Sequence, residues 1–468
     1  MKKNSFFFCL LSLISFSCSG KQLVAYVSSS MGDDNNNGMT QANPVKTIKR
    51  ALQLSDSILL KCDDVFYENV KANDIIISSY GKGKKPKLCG WKRIIKPAWE
   101  SLGDSIWRIS LDDSNYIGFL SDEDYMLNNI GCIHEYNNDS IHGRKVRYKR
   151  LLKENWDIWQ TEHHSLDNIG KHDFDTLYLR YSGNPNNLKL EFSVGTYGVY
   201  VDRSIIENIC VEGFGTAGID FLDKTSIRNC RVDAIGGSLW VNDNEFVCLG
   251  NGIESWMYKS IQDCLIEKNI VTRCYDCGMT IQGPQKSTTL PRRIIFRNNF
   301  ISDCSQGWED FLNNDIEEMY DNCIFENNIV CNIGKTSGFN YPSRMKYCHV
   351  LGNNQKRDRG MIIRNNKFIG GNYYCSGANH NRYSSNIWQN NVCYIKRGDF
   401  LLSNYLGTKD VIRIPVFSNS SDSLEEATER IIAYYRSLTG DVTTKFIVMD
   451  EESINSKVRK MKRKHLGK

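Results

Sequence analysis

Beyond Phe16 this sequence has no apolar run long enough to cross a bilayer as a helix, so no internal membrane span is expected and the body reads as soluble. Proline is also scarce, with 8 residues in 468, whereas asparagine is abundant and often paired. Asparagine tolerates left-handed backbone and bonds its own chain, so this bias belongs to turn-rich β structure. Disorder is excluded by 41% hydrophobic against 24% charged residues. A complete disulfide framework is excluded by parity: of 17 cysteines, setting aside Cys9 and Cys18 in the leader leaves an odd number. Cys210, Cys230, Cys264, Cys323 and Cys393 instead follow a repeat, as small apolar residues stacked in a core. Cys274 and Cys277 form a CxxC, but no second CxxC or histidine pair completes a zinc set, so no metal site is predicted. The net charge of +5 is a weak nucleic-acid signal, and no nucleic-acid partner is expected. Its excess gathers in Lys457, Arg459, Lys460, Lys462, Arg463, Lys464 and Lys468, read as a solvated basic tail.

The N-terminus is a targeting segment. Lys2 and Lys3 precede the short apolar run Phe6–Phe16, and Ser15-Phe16-Ser17-Cys18 closes it. Small residues before a cysteine at this place resemble a bacterial lipoprotein signal over residues 1–18, with Cys18 as the lipidated residue. The resemblance implies an exported lipoprotein at the outer membrane, facing periplasm or cell surface and touching the bilayer only through its anchor. A plain secretory signal is the alternative.

Residues 22–90 read as a cap and first coils. Val24–Ser28 is a strand, Gly32 to Gly38 a polar loop, and Ile48, Ala51 and Leu52 mark one face of a short helix. Short strands follow at Ser57–Lys61, Asp64–Glu68, Ile75–Ser79 and Pro86–Gly90. A helix ahead of the first coil would cover its open edge. Tyr26-Val27-Ser28, the loop, Pro44-Val45-Lys46-Thr47-Ile48, Ile58-Leu59-Leu60-Lys61 and Gly81-Lys82-Gly83-Lys84-Lys85-Pro86 resemble the opening of secreted right-handed parallel β-helix (pectin-lyase-like) proteins. That group includes polysaccharide lyases and glycoside hydrolases. Cys62-Asp63-Asp64 departs from it, since members have Gly before the Asp.

Residues 91–198 leave the repeat. Trp91, Trp99 and Trp107 punctuate them, Arg144 to Lys153 is basic, and Asp173–Tyr181 alternates as a strand, so a β-rich insertion is expected. His163 and His164 are adjacent and, on a strand, would face opposite ways, a poor metal pair. From about 199 to 408 one unit recurs, an apolar strand, one or two Asn, then a second strand. It is centred on Asn208, Asn229, Asn269, Asn298-Asn299, Asn327-Asn328, Asn365-Asn366 and Asn390-Asn391. Each repeat is one coil, and stacked Asn side chains can bond along the axis. No leucine-rich frame is present. Residues 409–468 read as a C-terminal α/β cap with a helix at Ser423–Leu438 and a strand at Lys445–Met449. The predicted class is all-β, a monomeric parallel β-helix with an N-terminal capping helix.

Three acid-bearing blocks fall at one part of successive repeats: Gly250–Trp256, Cys274–Gly283 and Gln306–Asn313. If the coils stack about 4.8 Å apart, Glu254, Asp276 and Glu309 become neighbours, roughly 5 or 10 Å apart. Paired carboxyls at such spacings hydrolyse glycosidic bonds, at about 5–5.5 Å for retention and 6.5–9.5 Å for inversion. Strand alternation places Glu254 and Trp256 outward. If Phe311 faces inward, Trp308 and Asp310 face outward, which makes Asp310 a rival to Glu309 and Trp308 a sugar platform.

Asn251-Gly252-Ile253-Glu254, Tyr275-Asp276 through Gln282-Gly283, and Trp308-Glu309 are similar to blocks of one carbohydrate-active β-helix subgroup. The resemblance implies Glu254, Asp276 and Glu309 as catalytic residues, with Trp256, Gln282 and Arg344 on the substrate. Arg344 stands where the subgroup has His and Arg-Pro-Asp, and the His is missing. The expected activity is polysaccharide hydrolysis without a cofactor. A polysaccharide lyase is the alternative, drawing on Lys259, Lys335, Arg344, His380 and Arg382, with Ca²⁺ possible. A non-catalytic glycan-binding lipoprotein is the third. Asn379-His380-Asn381-Arg382 is the most suggestive lyase group.

Overall fold

The computed structural model describes residues 23–467 except 97, 121–124, 163–169, 242–246, 284–288, 312–319, 335–347, 353–359, 372, 378–385, 397–401 and 405–422. Cys18, His163, His164, Lys335, Arg344, His380 and Arg382 lie outside the described residues.

The asparagine pairs turn the chain. In Asn298-Asn299, Asn327-Asn328, Asn365-Asn366 and Asn390-Asn391 the first residue is left-handed, with φ of 56, 54, 56 and 52°. Asparagine accepts this conformation more readily than most residues. The second turns inward and is buried. Asn269 N and Nδ2 donate to Asn299 Oδ1 at 2.9 and 3.1 Å. The same pair of hydrogen bonds repeats through Asn328, Asn366 and Asn391. Each second Nδ2 hydrogen goes to a carbonyl of the strand above, as from Asn299 to Ile266 at 3.0 Å, so the buried amides are satisfied.

These turns join the first and second of three parallel sheets, of ten, ten and nine strands among the described residues. Every coil adds a strand to each, so the chain is a parallel β-helix. Its axial core is Val, Ile, Leu and Phe with Cys230, Cys264, Cys274 and Cys304 among them. Among the described residues thirteen cysteines are free thiols and all but Cys62 are buried, as small apolar core residues. No described helix is long and apolar enough to cross a membrane.

The third sheet runs through β1 (Tyr197–Asp202), β2 (Ala217–Phe221), β3 (Asn251–Trp256), β4 (Cys277–Gln282), β5 (Gln306–Phe311) and β6 (Cys348–Gly352). Gly218, Gly252 and Gly278 let it approach the second sheet. A Cβ there would stand 2.4, 2.4 and 2.3 Å from Val232, Val271 and Ile301 methyls. Because the glycine has no side chain, both it and the next residue can face inward, and the in–out alternation resets at each one.

Helix α1 (Ile48–Leu54) buries Ile48 and Ala51 against the first coil. Thr47 Oγ1 caps it by accepting from Arg50 N, and Glu68 accepts from Ile48 N and Lys49 N. Asp63 takes the left-handed turn position, φ 68°, and its carboxylate accepts from Lys84 N. The strand expected over Asp64–Glu68 shortens to Val65–Phe66. The insertion leaves after Lys87–Cys89 of the second sheet and returns at β1, forming two five-stranded sheets around Ile109, Leu111, Ile158, Leu177, Leu179 and Phe192.

At the other end, α2 (Leu424–Thr439) precedes Lys445–Met449, which adds to the second sheet beside Val392–Lys396. The basic tail is not a solvated coil. Glu451–Leu466 is helix α3, capped by Asp450, with Ile454 and Val458 buried on Phe300, Cys331 and Ile369. Lys462 pairs with Asp303 at 2.5 Å, and His465 stacks on Phe300. A narrow stripe of Ile454, Val458 and Met461 at i, i+4 and i+7 is enough to seat a helix among lysines.

Candidate active site

The register of the third sheet decides which side chains meet. Tyr200, Asp220, Glu254, Thr280 and Glu309 pair in turn across β1 to β5. They form one outward row above the inward row of Val199, Ile219, Ile253, Met279 and Trp308, all fully buried. Asp220 and Glu254 are one strand spacing apart, about 4.8 Å, and Glu254 and Glu309 are two apart, about 10 Å. Asp276 precedes β4, where its N–H donates to Gly250 O and its carbonyl accepts from Gln306 N. Glu254, Asp276 and Glu309 therefore stand on three consecutive coils of one wall.

Amides hold the acids in place. Asn251 Nδ2 donates to Glu254 Oε2 at 2.7 Å, Gln306 Nε2 to Asp276 Oδ1 at 3.0 Å, and Gln282 Nε2 to Glu309 Oε2 at 3.0 Å. Trp256 N donates to Asp220 Oδ1 at 3.3 Å. Asp220, Glu254, Asp276 and Glu309 are 1, 7, 8 and 3% exposed, and among the described residues none of them is in an ion pair.

Burial without a counter-charge raises carboxyl pKa values. Burial lifts Glu254 to about 7; the Asn251 amide opposes this, and the Asp276 charge adds to it. Burial lifts Asp276 to about 6 against the Gln306 amide. Glu309 is pushed well above the carboxylate range by burial, then by Asp276, Asp310 and Glu254. Asp220 is raised by burial and by Glu254, against the Trp256 N–H. Thr280, between Glu254 and Glu309, has a buried hydroxyl with no partner among the described residues. It is a group that a bound hydroxyl would satisfy.

Two sequence expectations are overturned. Trp308 is no sugar platform: it is completely buried, its ring centroid 4.6 Å from that of Phe296 and 4.9 Å from that of Phe325. Asp310 does not share the outward face. It sits opposite core residue Ile281 and accepts from the Tyr320 hydroxyl. The inward anchor of β5 is Trp308, and Phe311 pairs with Gln282 in the register. Counting from Trp308 sends Glu309 out and Asp310 in.

The wall's aromatic rim differs from the one expected. Trp256 is half-buried, with the Trp240 ring edge-on to it at 5.9 Å. Trp240 lies on a hairpin, Leu239–Trp240 with Val247–Cys248, tied to the insertion. Asn129 bonds both the N–H and the carbonyl of Leu239, at 2.9 and 2.8 Å. Tyr197 and Tyr200 lie 5.9 Å apart on the N-terminal side of the acids, and the Tyr258 side chain is largely exposed. Asp220 was legible: Gly218-Ile219-Asp220 repeats Gly252-Ile253-Glu254 one coil earlier. Trp240 carries no such mark. Lys259 Nζ is held by Asp202 at 2.6 Å. Among the described residues no three His, Cys, Asp or Glu are arranged to hold a metal ion.

No protein-family model and no curated protein sequence matches the chain. Solved structures that overlap it include XylC in complex with xylose, with 14% identity, 91% of this chain and 82% of that chain covered, and a TM-score of 0.36. A second is described as a glycoside hydrolase, with 10% identity, 79% and 96% covered, and a TM-score of 0.35. A third is the GH136 lacto-N-biosidase from Eubacterium ramulus, with 11% identity, 91% and 68% covered, and a TM-score of 0.36. At these scores the likenesses carry no weight for what this chain does.

Proposed function

We propose that the protein hydrolyses glycosidic bonds of a polysaccharide or oligosaccharide on the outer wall of its third sheet. One observation carries the reading: Asp220, Glu254, Asp276 and Glu309 stand buried on neighbouring coils, held by amides rather than cations, with raised proton affinity. Hydrolysis needs one carboxyl protonated and another ionised at the same pH. Glu309, with the charges of Asp276, Asp310 and Glu254 acting on it, is the acid that gives its proton to the leaving oxygen. Asp276, the more acidic of the candidate bases, takes the proton of the attacking water, and Glu254 is the alternative base. Gln282 orients Glu309, and Trp256, Trp240 and Tyr258 offer sugar-stacking faces. A uronate at the cleaved unit would meet this acid row unfavourably, so the unit there is uncharged.

The test is a screen of purified polysaccharides with wild type and Glu309→Gln, scored for new reducing ends and for unsaturated product. Reducing ends from wild type alone support hydrolysis. Unsaturated product, or no cleavage of any glycan, overturns it. The export reading belongs to the same proposal. Acyl labelling that depends on Cys18 supports a lipid anchor, and labelling unaffected by Cys18→Ser removes it.

A further inference from the structure

The basic run Arg144 to Lys153 has no part in the acid wall, and the structure divides it. Arg144 is committed to Asp157 through two parallel hydrogen bonds, at 2.6 and 2.7 Å, and Lys145 is buried on Asn129 Oδ1 at 3.0 Å. Lys149 and Arg150 turn outward onto aromatic rings, and Arg147 is half-buried beside them. Lys149 Nζ lies 3.8 Å from the Tyr178 ring centre and 5.8 Å from that of Trp159. The Arg147 and Arg150 guanidinium carbons lie 5.2 and 4.7 Å from the Tyr148 ring centre.

The Trp159 and Tyr178 rings belong to a sheet face, and Tyr148 precedes the short helical turn Lys149–Leu151 beside them. Strand Asp157–Trp159 pairs with Thr176–Arg180 so that Trp159 is opposite Tyr178, and Tyr178 is opposite Arg108 on Ile106–Ser110. Ile109, Ile158, Leu177 and Leu179 fill the inner side, which leaves Trp159, Tyr178 and Arg108 on the outer one. The Trp159 and Tyr178 centroids are 5.2 Å apart. Arg108 pairs with Glu100, but among the described residues Arg147, Lys149 and Arg150 are in no ion pair. Cation–ring contacts at exposed sites are weak. They do not relieve the mutual repulsion of three neighbouring positive charges.

We propose that this outer face of the insertion binds anionic polysaccharide, at a site separate from the acid wall. Tyrosine and tryptophan faces stack on the C–H faces of pyranose rings, and flanking cations take up carboxylate or sulfate groups through charge-assisted bonds. A neutral glycan would use the rings and leave the cations uncompensated. A bilayer surface would use the cations, but Trp159 and Tyr178 are half-buried within the sheet surface and do not project as insertion requires. Binding here does not depend on cleavage, so its failure leaves the hydrolase reading standing, and the reverse holds.

Affinity electrophoresis through gels containing alginate, dextran sulfate or neutral dextran tests the site. Wild type is expected to be retarded by alginate or dextran sulfate, the responding gel showing whether carboxylate or sulfate is preferred, and not by dextran. Lys149→Ala/Arg150→Ala should weaken that retardation at least tenfold with its melting temperature unchanged. Tyr178→Leu keeps the charges and should weaken polysaccharide retardation at least threefold while leaving any retention by polyglutamate unchanged. Equal mobility in all three gels sinks the proposal. So does retardation by polyglutamate that matches alginate and ignores Tyr178→Leu, which is charge alone, or binding confined to phosphatidylglycerol vesicles.

Discussion

Single side chains set the proton chemistry of the wall. Replacing the acid by Glu309→Gln keeps its shape and its Gln282 neighbour, and should lower kcat about 10²–10⁴-fold, as loss of general acid catalysis does. The base gives a second expectation. With Asp276 near 6, kcat/KM should rise with pH through about 6, and Asp276→Asn should abolish that limb together with most of the rate. A limb that persists in Asp276→Asn would transfer the role to Glu254. Stability carries the same signature. Glu254 is raised from 4.5 to about 7, so the folded state binds its proton more tightly than the unfolded one. Stability from this group is full below about 4.5 and is lost as pH rises through about 7, a change on the order of 3 kcal/mol. Glu254→Gln should therefore melt higher than wild type at pH 8 and no higher at pH 4. Parallel melting curves at both values would remove the electrostatic account.

At the scale of strands and turns, the asparagine ladder is the load path between coils. Asn328→Ala would leave Asn299 N and Phe296 O buried without their partner, and should cost about 2–4 kcal/mol in urea unfolding. Asn327→Gly, at a left-handed turn position, should be close to neutral. Equal losses at both positions would mean that the ladder bonds are not what matters. Much of this was legible, since Asn pairs at a fixed place in each repeat announce a turn and a stack. Strand direction on β5 was not. Alternation counted from Phe311 inverted Trp308, Glu309 and Asp310, because the sequence does not say which of two large rings fills the core. The repeated Gly-hydrophobic-acid step, Gly218-Ile219-Asp220, Gly252-Ile253-Glu254 and Gly307-Trp308-Glu309, held the answer. It places the acid outward each time and would have found Asp220.

Over the whole molecule, the solenoid is closed at its two ends by α1 and by α2 with the strand Lys445–Met449, α3 lies on the outer face of the second sheet, and the insertion is bolted along one side. Val458→Glu puts a charge under α3 and should undock it. Trypsin should then cut first at Lys457, Arg459 or Lys460 while the coils resist. Uniform resistance would mean that the helix is held by its ion pair with Asp303 and not by its apolar seat. By itself the sequence determined the parallel coil, the turn asparagines, the capping helix and the three coils that bear Glu254, Asp276 and Glu309. These follow from local rules, namely which residues bend, which alternate and which repeat. Tertiary structure alone decided which side of β5 faces out, that the basic tail is a seated helix, that Asn129 holds the Trp240 hairpin beside Trp256, and that Arg144 and Lys145 of the Arg144–Lys153 run are spent on Asp157 and Asn129. Each of those depends on what lies opposite in space, and such contacts, whether 13 residues apart as from Arg144 to Asp157 or 159 apart as from Lys462 to Asp303, leave no period in the chain.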